Sequence, residues 1–304
     1  MEGLLARASE IYAVDYFGAI IVVALLECIV PRRAAGDALK LRWSSNFGIS
    51  ILATVMMKTV FPAFGLLGAA LSHQYGIGLL NSVTLPQWVG LPVTILTLDL
   101  VAYGQHYLLH RVDWLWRIHR THHSDNHFDF TTGVRFHPLE AIITGAIGFA
   151  AVTALGAPPA FVFIATLLET FNGFLEHSNI RMPRTLDRLL RLTLVTPAMH
   201  SIHHSKSGSD SRTNFGVIFP WWDRLFGTYR DQPSAGHDAI TFGVDGFEGR
   251  RHQKLHWMLA HPFLKEAAEA ERTGEPSDYS NRGIRAKAGS SISSSSSISP
   301  TSPL

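Results

Sequence analysis

Three short stretches of this chain concentrate histidine at helical spacing. His106-Tyr-Leu-Leu-His110 is an i, i+4 pair, while His119-Arg-Thr-His122-His123 and His200-Ser-Ile-His203-His204 both follow i, i+3, i+4. On a helix such offsets place side chains on neighbouring lines of one side. Eleven of the 16 histidines fall between His106 and His204, which scatter does not produce. Packed imidazoles repel one another when protonated and leave ring nitrogens unsatisfied when buried, whereas a divalent metal takes their neutral nitrogens as ligands. Eight of them exceed the roughly four to six ligands of a single ion, so number and spacing together point to a dinuclear, histidine-rich centre. No His-Glu-x-x-His zinc-protease motif occurs, and a ferritin-like site would need Glu-x-x-His pairs with further glutamates. Imidazole suits zinc, copper, iron and nickel alike, so the residues alone leave the metal open. His73, His127 and His237 stand apart and read as ordinary side chains, as do His252 and His256.

Apolar helices must carry these groups. The 304 residues are 46% hydrophobic and only 16% charged, which leans towards the membrane. Apolar runs at 11–30, 47–71 and 85–109 approach the ~20 residues a helix needs to cross hydrocarbon. A fourth block, 141–174, is broken at Gly156-Ala157-Pro158-Pro159 and reads as two short helices forming a hairpin. Arg32, Arg33, Lys40 and Arg42 crowd the first connection, and the 72–84 connection has no Lys or Arg, so the histidine clusters are expected on the cytoplasmic face. The fold expected is all-α: four or five transmembrane helices with a cytoplasmic helical cap carrying the histidine boxes. A net charge of +2 without a long basic run gives no reason to expect a nucleic-acid partner. Cys28 alone provides neither a disulfide nor a thiolate site. Ionisable residues inside apolar runs need partners or an interfacial position. Asp99, two helical turns before His106, is positioned to orient that imidazole or, equally, to pack or cap its helix.

Further motifs follow in order: Leu115-Trp116-Arg117 before the second box, Thr132-Gly133-x-Arg135-x-His137-Pro138-x-Glu140, and His177-Ser178-Asn179-Ile180-Arg181. Met199 precedes the third box, and Asn214-Phe215-Gly216 and Trp222-Asp223-Arg224-Leu225-Phe226-Gly227-Thr228-Tyr229 come after it. From Asp99 to Arg230 the set resembles the fatty acid hydroxylase superfamily, also called the sterol desaturase family. Tyr107 departs from it, since many relatives have Arg after the first histidine. The resemblance implies a non-haem di-iron centre with His106, His110, His119, His122, His123, His200, His203 and His204 as ligands and His177 as a ninth. His137 suits a ligand or a structural role equally. Arg135, Asn179, Asp223 and Glu140 join Asp99 as groups that would orient the imidazoles.

The same resemblance implies two iron ions, O2 as co-substrate, and hydroxylation or desaturation of a fatty acyl, sterol or other terpenoid lipid from within the membrane. No flavin, dinucleotide or iron-sulfur motif is present, so a separate electron donor is expected, a ferredoxin or cytochrome with its reductase. Other readings of the histidines are a membrane metal transporter and a metal-bound scaffold. Positive-inside bias favours a bacterial inner membrane, with the endoplasmic reticulum as the eukaryotic counterpart. The expected division is membrane helices at 1–90, a catalytic domain at 91–232, an interfacial helical segment at 233–285, and a disordered Ser-rich tail at 286–304. Phe161, Phe163, Phe171 and Phe174 are candidates to line the lipid slot.

Overall fold

The computed structural model describes residues 2–36, 38–60, 64–83 and 85–265, and residues 1–264 pack as one compact unit. The Ser-rich tail lies outside the described residues. Twelve α-helices follow in order: α1 (Glu2–Ile29), α2 (Leu39–Val60), α3 (Phe64–Tyr75), α4 (Leu79–Ser82), α5 (Gln87–Arg111) and α6 (Asp113–His123), then α7 (Pro138–Leu155), α8 (Pro159–Glu176), α9 (Arg184–Leu190), α10 (Pro197–His203), α11 (Trp221–Phe226) and α12 (Leu255–Ala260). No strand occurs among the described residues; two isolated bridges, Pro31 with Ile180 and Ser205 with Phe242, tie loops together. The protein is therefore all-helical, as expected.

Helix ends follow local chemistry. Gly156 closes α7 in the left-handed conformation at φ 67°, and a Cβ there would sit 2.7 Å from the Ile77 carbonyl oxygen. Pro159 then opens α8 at a position where a missing N–H costs nothing. The expected break is thus present, but the two helices do not form a self-contained hairpin. The main contacts of α7 are with α3, α2 and α5, and those of α8 with α1, α5, α3 and α10. The expected crossing at 47–71 divides into α2 and α3, and residues 61–63 between them lie outside the described residues.

By length and composition two helical stretches can cross a membrane, Glu10–Ile29 and Pro138–Leu155. A third is added if Leu66–Ser82 and Gln87–Arg111, which meet at 98°, count as one bent span. Polar residues on the inner face of α2 and α5 lower their mean hydropathy. Arg42, Ser45 and Asn46 of α2 and Thr94 and Asp99 of α5 are all buried. Apolar packing joins α1 to α8 and to the segments that follow α6 and α8, with Ala19 and Val23 against Phe130, Phe174 and Ile180. Glu27, inside the first apolar run, finds its partners in the backbone N–H groups of Phe130 and Asn179, at 2.8 and 2.7 Å.

The described part of the segment after Arg250 is a partly buried strap; residues 266–285 of the expected interfacial segment lie outside the described residues. Residues 250–264 form two 3-10 turns flanking α12, with His252, Gln253, Met258 and His261 buried and His256 exposed. Arg120 of α6 donates to the carbonyls of His261 and Leu264, and Gln253 donates to the Ser124 carbonyl. Unmet hydrogen-bonding groups at the end of α6 draw this segment inward, which its mixed basic and apolar composition conceals.

Behind α6 lies a dense ionic cluster. Arg42 grips both carboxylate oxygens of Asp125, at 2.5 and 2.8 Å, and donates to Asp129 at 2.8 Å. Burial would raise the Asp125 carboxyl, but the Arg42 guanidinium outweighs it and holds Asp125 well below the usual carboxylate range. Asn46 bridges Asp125 to Arg135, which in turn donates to the Thr121 carbonyl and the Ser124 hydroxyl. Replacing Arg42 with Leu strands two buried carboxylates and should cost about 3–5 kcal/mol. Denaturant unfolding in detergent measures this; a loss below about 1 kcal/mol would contradict the buried-pair assignment.

Candidate metal centre

Nine histidines converge from four helices and their ends. His106 and His110 come from the last turns of α5, the second box from the end of α6, His177 from the C-cap of α8, and the third box from α10. Thr196 caps α10 by accepting from the Met199 N–H, and Pro197 begins it. All nine lie in two buried groups: His106, His110, His119, His123 and His203 in one, and His122, His177, His200 and His204 in the other. Within each group the donor nitrogens lie within 4.8 Å of one another.

Each x-x-His-His box divides between the two groups. Residues at i and i+4 are only about 40° apart around a helix, while i+3 lies on the other side of i. His119 and His123 therefore reach the first group, and His122 turns to the second. In α10 the roles reverse, with His200 and His204 in the second group and His203 in the first. Two short helices thus clamp both groups between them.

The outer nitrogens settle the tautomers. Nδ1 of His106 donates to the Phe215 carbonyl at 3.0 Å, that of His203 to Thr213 at 2.8 Å, and that of His177 to Gly173 at 2.7 Å. A carbonyl only accepts, so the proton sits on Nδ1 and Nε2 carries a lone pair. Nδ1 of His119 faces Glu140 Oε1 at 2.7 Å, a carboxylate that orients the ring and raises its basicity. Nε2 of His106, His119, His203 and His204 is buried without a hydrogen-bond partner. The Nε2 atoms of His110 and His123 lie 3.1 Å apart, and that of His177 is 3.2 and 3.0 Å from those of His122 and His200. For imidazole nitrogens about 2.1 Å from a shared ion, neighbours at right angles stand about 3 Å apart. The donor sets therefore fit metal ions.

Of the other expected site residues, only Glu140 touches a ligand-type imidazole directly. Asp99 accepts from the backbone N–H of Ile218 and Phe219 and from the Trp222 indole, so it packs its helix against the loop rather than orienting His106. Asp223 accepts from the N–H groups of Phe215 and Gly216 and from Thr228, fixing the loop whose carbonyl receives His106. Asn214, left-handed at φ 56°, spans this loop and α10 through the Met199 and Arg230 carbonyls. Arg135 supports the end of α6 through its backbone, and Asn179 stitches to Arg33. His137 joins neither group: its Nδ1 caps α7 by accepting from Leu139, and its Nε2 faces the Leu259 carbonyl. Of the candidate phenylalanines, Phe174 packs on α1, Phe161 lies over Gly90, and Phe171 is exposed. Tyr107 packs on Phe215 and under Arg111, away from the donor atoms.

Sequence reasoning missed the carbonyl partners, which carry no side-chain signal. It also missed Glu176, buried beside His177 and His200 at 3.6 and 3.9 Å.

Burial, with repulsion from His119 and His177, depresses His203 to about 3 against the raising effect of its Thr213 bond. Burial and neighbouring imidazoles likewise push His122, His123, His200 and His204 well below the ordinary histidine range. An unfolded histidine titrates near about 6.5, so below that pH the unfolded chain binds more protons. Stability of the metal-free protein is thus full above about pH 6.5 and falls as pH drops towards 5. Thermal unfolding of chelator-treated protein across this range should show the decline, and an added divalent ion should raise the whole profile without removing its slope; a flat profile would contradict buried neutral imidazoles.

Comparison with known proteins agrees with this geometry. Residues 91–228 match the fatty acid hydroxylase family model. An ornithine lipid hydroxylase of Rhizobium tropici is 28% identical over 267 residues, 84% of this chain and 76% of that protein. Human alkylglycerol monooxygenase is 28% identical over 163 residues, 53% of this chain, but the match spans only 35% of that protein. Human cholesterol 25-hydroxylase is 27% identical over 139 residues, 45% of this chain and 49% of that protein. No solved structure matches. These relatives are lipid hydroxylases and monooxygenases, and residues 91–228 of this chain carry a stretch similar to the fatty acid hydroxylase family to which they correspond.

Proposed function

We propose that this protein oxidises a membrane lipid with O2 at two iron ions held by His106, His110, His119, His123 and His203 on one side and His122, His177, His200 and His204 on the other. The observation that carries the reading is the splitting of both x-x-His-His boxes between two buried donor sets. Iron follows from the family, which uses it. Reduced iron in a neutral imidazole field supplies the O2 activation that cleavage of an unactivated C–H bond requires. The relatives' names favour hydroxylation over desaturation.

The chain's own groups hold the geometry and exclude water. Glu140 and the carbonyls of Phe215, Thr213 and Gly173 fix four rings in the Nδ1–H form. Phe136 stacks on His122 at 4.6 Å and 13°, while Phe215 packs edge-on against His106 and His203. A transporter would string ligands along a path through the spans, whereas these donors form two closed groups. Electrons come from a separate ferredoxin or cytochrome system docking on the cytoplasmic face, and His137 serves the fold rather than the metal.

His122→Ala and His203→Ala, one from each group, should each lower bound iron and abolish lipid- and donor-dependent O2 consumption while membrane insertion persists. His137→Ala removes a helix cap worth about 1 kcal/mol and should keep the iron. Iron analysis and oxygen-electrode assays on the three variants check this; full iron and turnover in the first two would sink the proposal.

A further inference from the structure

The span Glu10–Ile29 ends three residues before Arg32, which puts Arg32 and Arg33 at the depth where lipid headgroups lie. Both arginines line a small, partly open cleft together with Ser178, Ser201, Phe128 and Phe242. The cleft is built rather than incidental. The backbone N–H groups of Arg32 and Arg33 donate to the carbonyl and side-chain oxygens of Asn179, at 2.8 and 3.1 Å, and Asn179 donates back to the Arg33 carbonyl at 2.9 Å. The arginines are thereby fixed to the segment that follows His177.

Among the described residues, no direct ion pair neutralises the cleft's charge. Arg33 donates to the neutral carbonyls of Ile240 and His237 and lies over the Phe242 ring at 4.7 Å. Arg32 Nε is buried with no hydrogen-bond partner among the described residues. The acids whose field reaches Arg32 among the described residues are Asp187, engaged by Arg191 at 2.8 Å, and Asp238, which is exposed. The Ser178 hydroxyl, in a residue 2% exposed, is a second buried donor without a partner. Two unused donors and two cations around one small cleft specify an acceptor-rich anion.

The cleft also adjoins the second histidine group. Ser178 and Ser201 directly follow His177 and His200 in the chain. Phe128 stacks on Phe242 at 5.2 Å and lies 5.1 Å from the His204 ring, so an aromatic pair separates the cleft from the imidazoles.

We propose that this cleft binds the anionic headgroup, carboxylate or phosphate, of the amphiphile that the enzyme oxidises. The inference rests on the lipid-oxidising function above and adds the headgroup chemistry by which the substrate is selected. The cleft takes only that polar group, and the apolar chain stays in the membrane.

Binding to iron-loaded full-length protein in a neutral maltoside detergent tests it, with oxygen and reductant excluded so that no turnover occurs. Dodecyl phosphate should bind at least about tenfold more tightly than dodecanol, as expected for charge-assisted contacts. Arg32→Gln should erase most of that difference, Arg32→Lys should retain part of it, and Ser178→Ala should weaken it several-fold, all with iron content unchanged. Equal affinity of wild type and Arg32→Gln for dodecyl phosphate would overturn the proposal. Inorganic phosphate binding as tightly as dodecyl phosphate would overturn the lipid assignment in favour of a free anion. Absence of iron from the wild type would instead count against the metal assignment, because the binding comparison needs no turnover.

Discussion

Nine imidazoles buried within two small volumes are tolerable only while they stay neutral and their inward nitrogens have something to bind. Most of the structure can be read as meeting that constraint. Carbonyl oxygens and Glu140 hold protons on the outer nitrogens, leaving lone pairs directed inward. Desolvation and mutual repulsion then disfavour protonation of rings such as His203. A cluster of this kind is destabilising by itself, and metal binding turns the liability into folding energy.

Because the donors come from α5, α6, α8 and α10, small shifts between helices would spoil the geometry, and the ionic and polar contacts concentrate where such shifts would arise. The Arg42–Asp125–Asp129 cluster anchors α2 to the turn after α6, and Arg135 ties the same turn to Asn46. The strap at 250–264 covers the other side of α6 through Arg120. Asp99 and Asp223 pin the 215–222 loop, so the carbonyl that receives His106 stays in place. Interactions far from any donor nitrogen thus set the position of the donors.

The histidine boxes were legible because ligand spacing on a helix is a local property, and the break before Pro159 was legible because Gly and Pro act through the backbone. The sorting of each box into two groups follows from helical angles once two helices face each other, a tertiary fact. Asp99 illustrates the limit. Helical periodicity placed it two turns from His106, yet its carboxylate meets backbone N–H groups more than a hundred residues away in sequence. The packing of the strap on α6 was not legible because amphipathic composition looks alike whether the polar face meets water or an unsatisfied helix end. Carbonyl partners of the imidazoles are invisible in any sequence, since every residue has one.

The central claim is that two donor sets hold two iron ions close enough to act together. Mössbauer spectroscopy of detergent-purified protein loaded with ⁵⁷Fe, read alongside total metal content, addresses it most directly. The account predicts about two irons per chain, one per donor set, with the spectrum of a magnetically coupled pair. A single uncoupled iron, or zinc filling both sets after iron reconstitution, would contradict it.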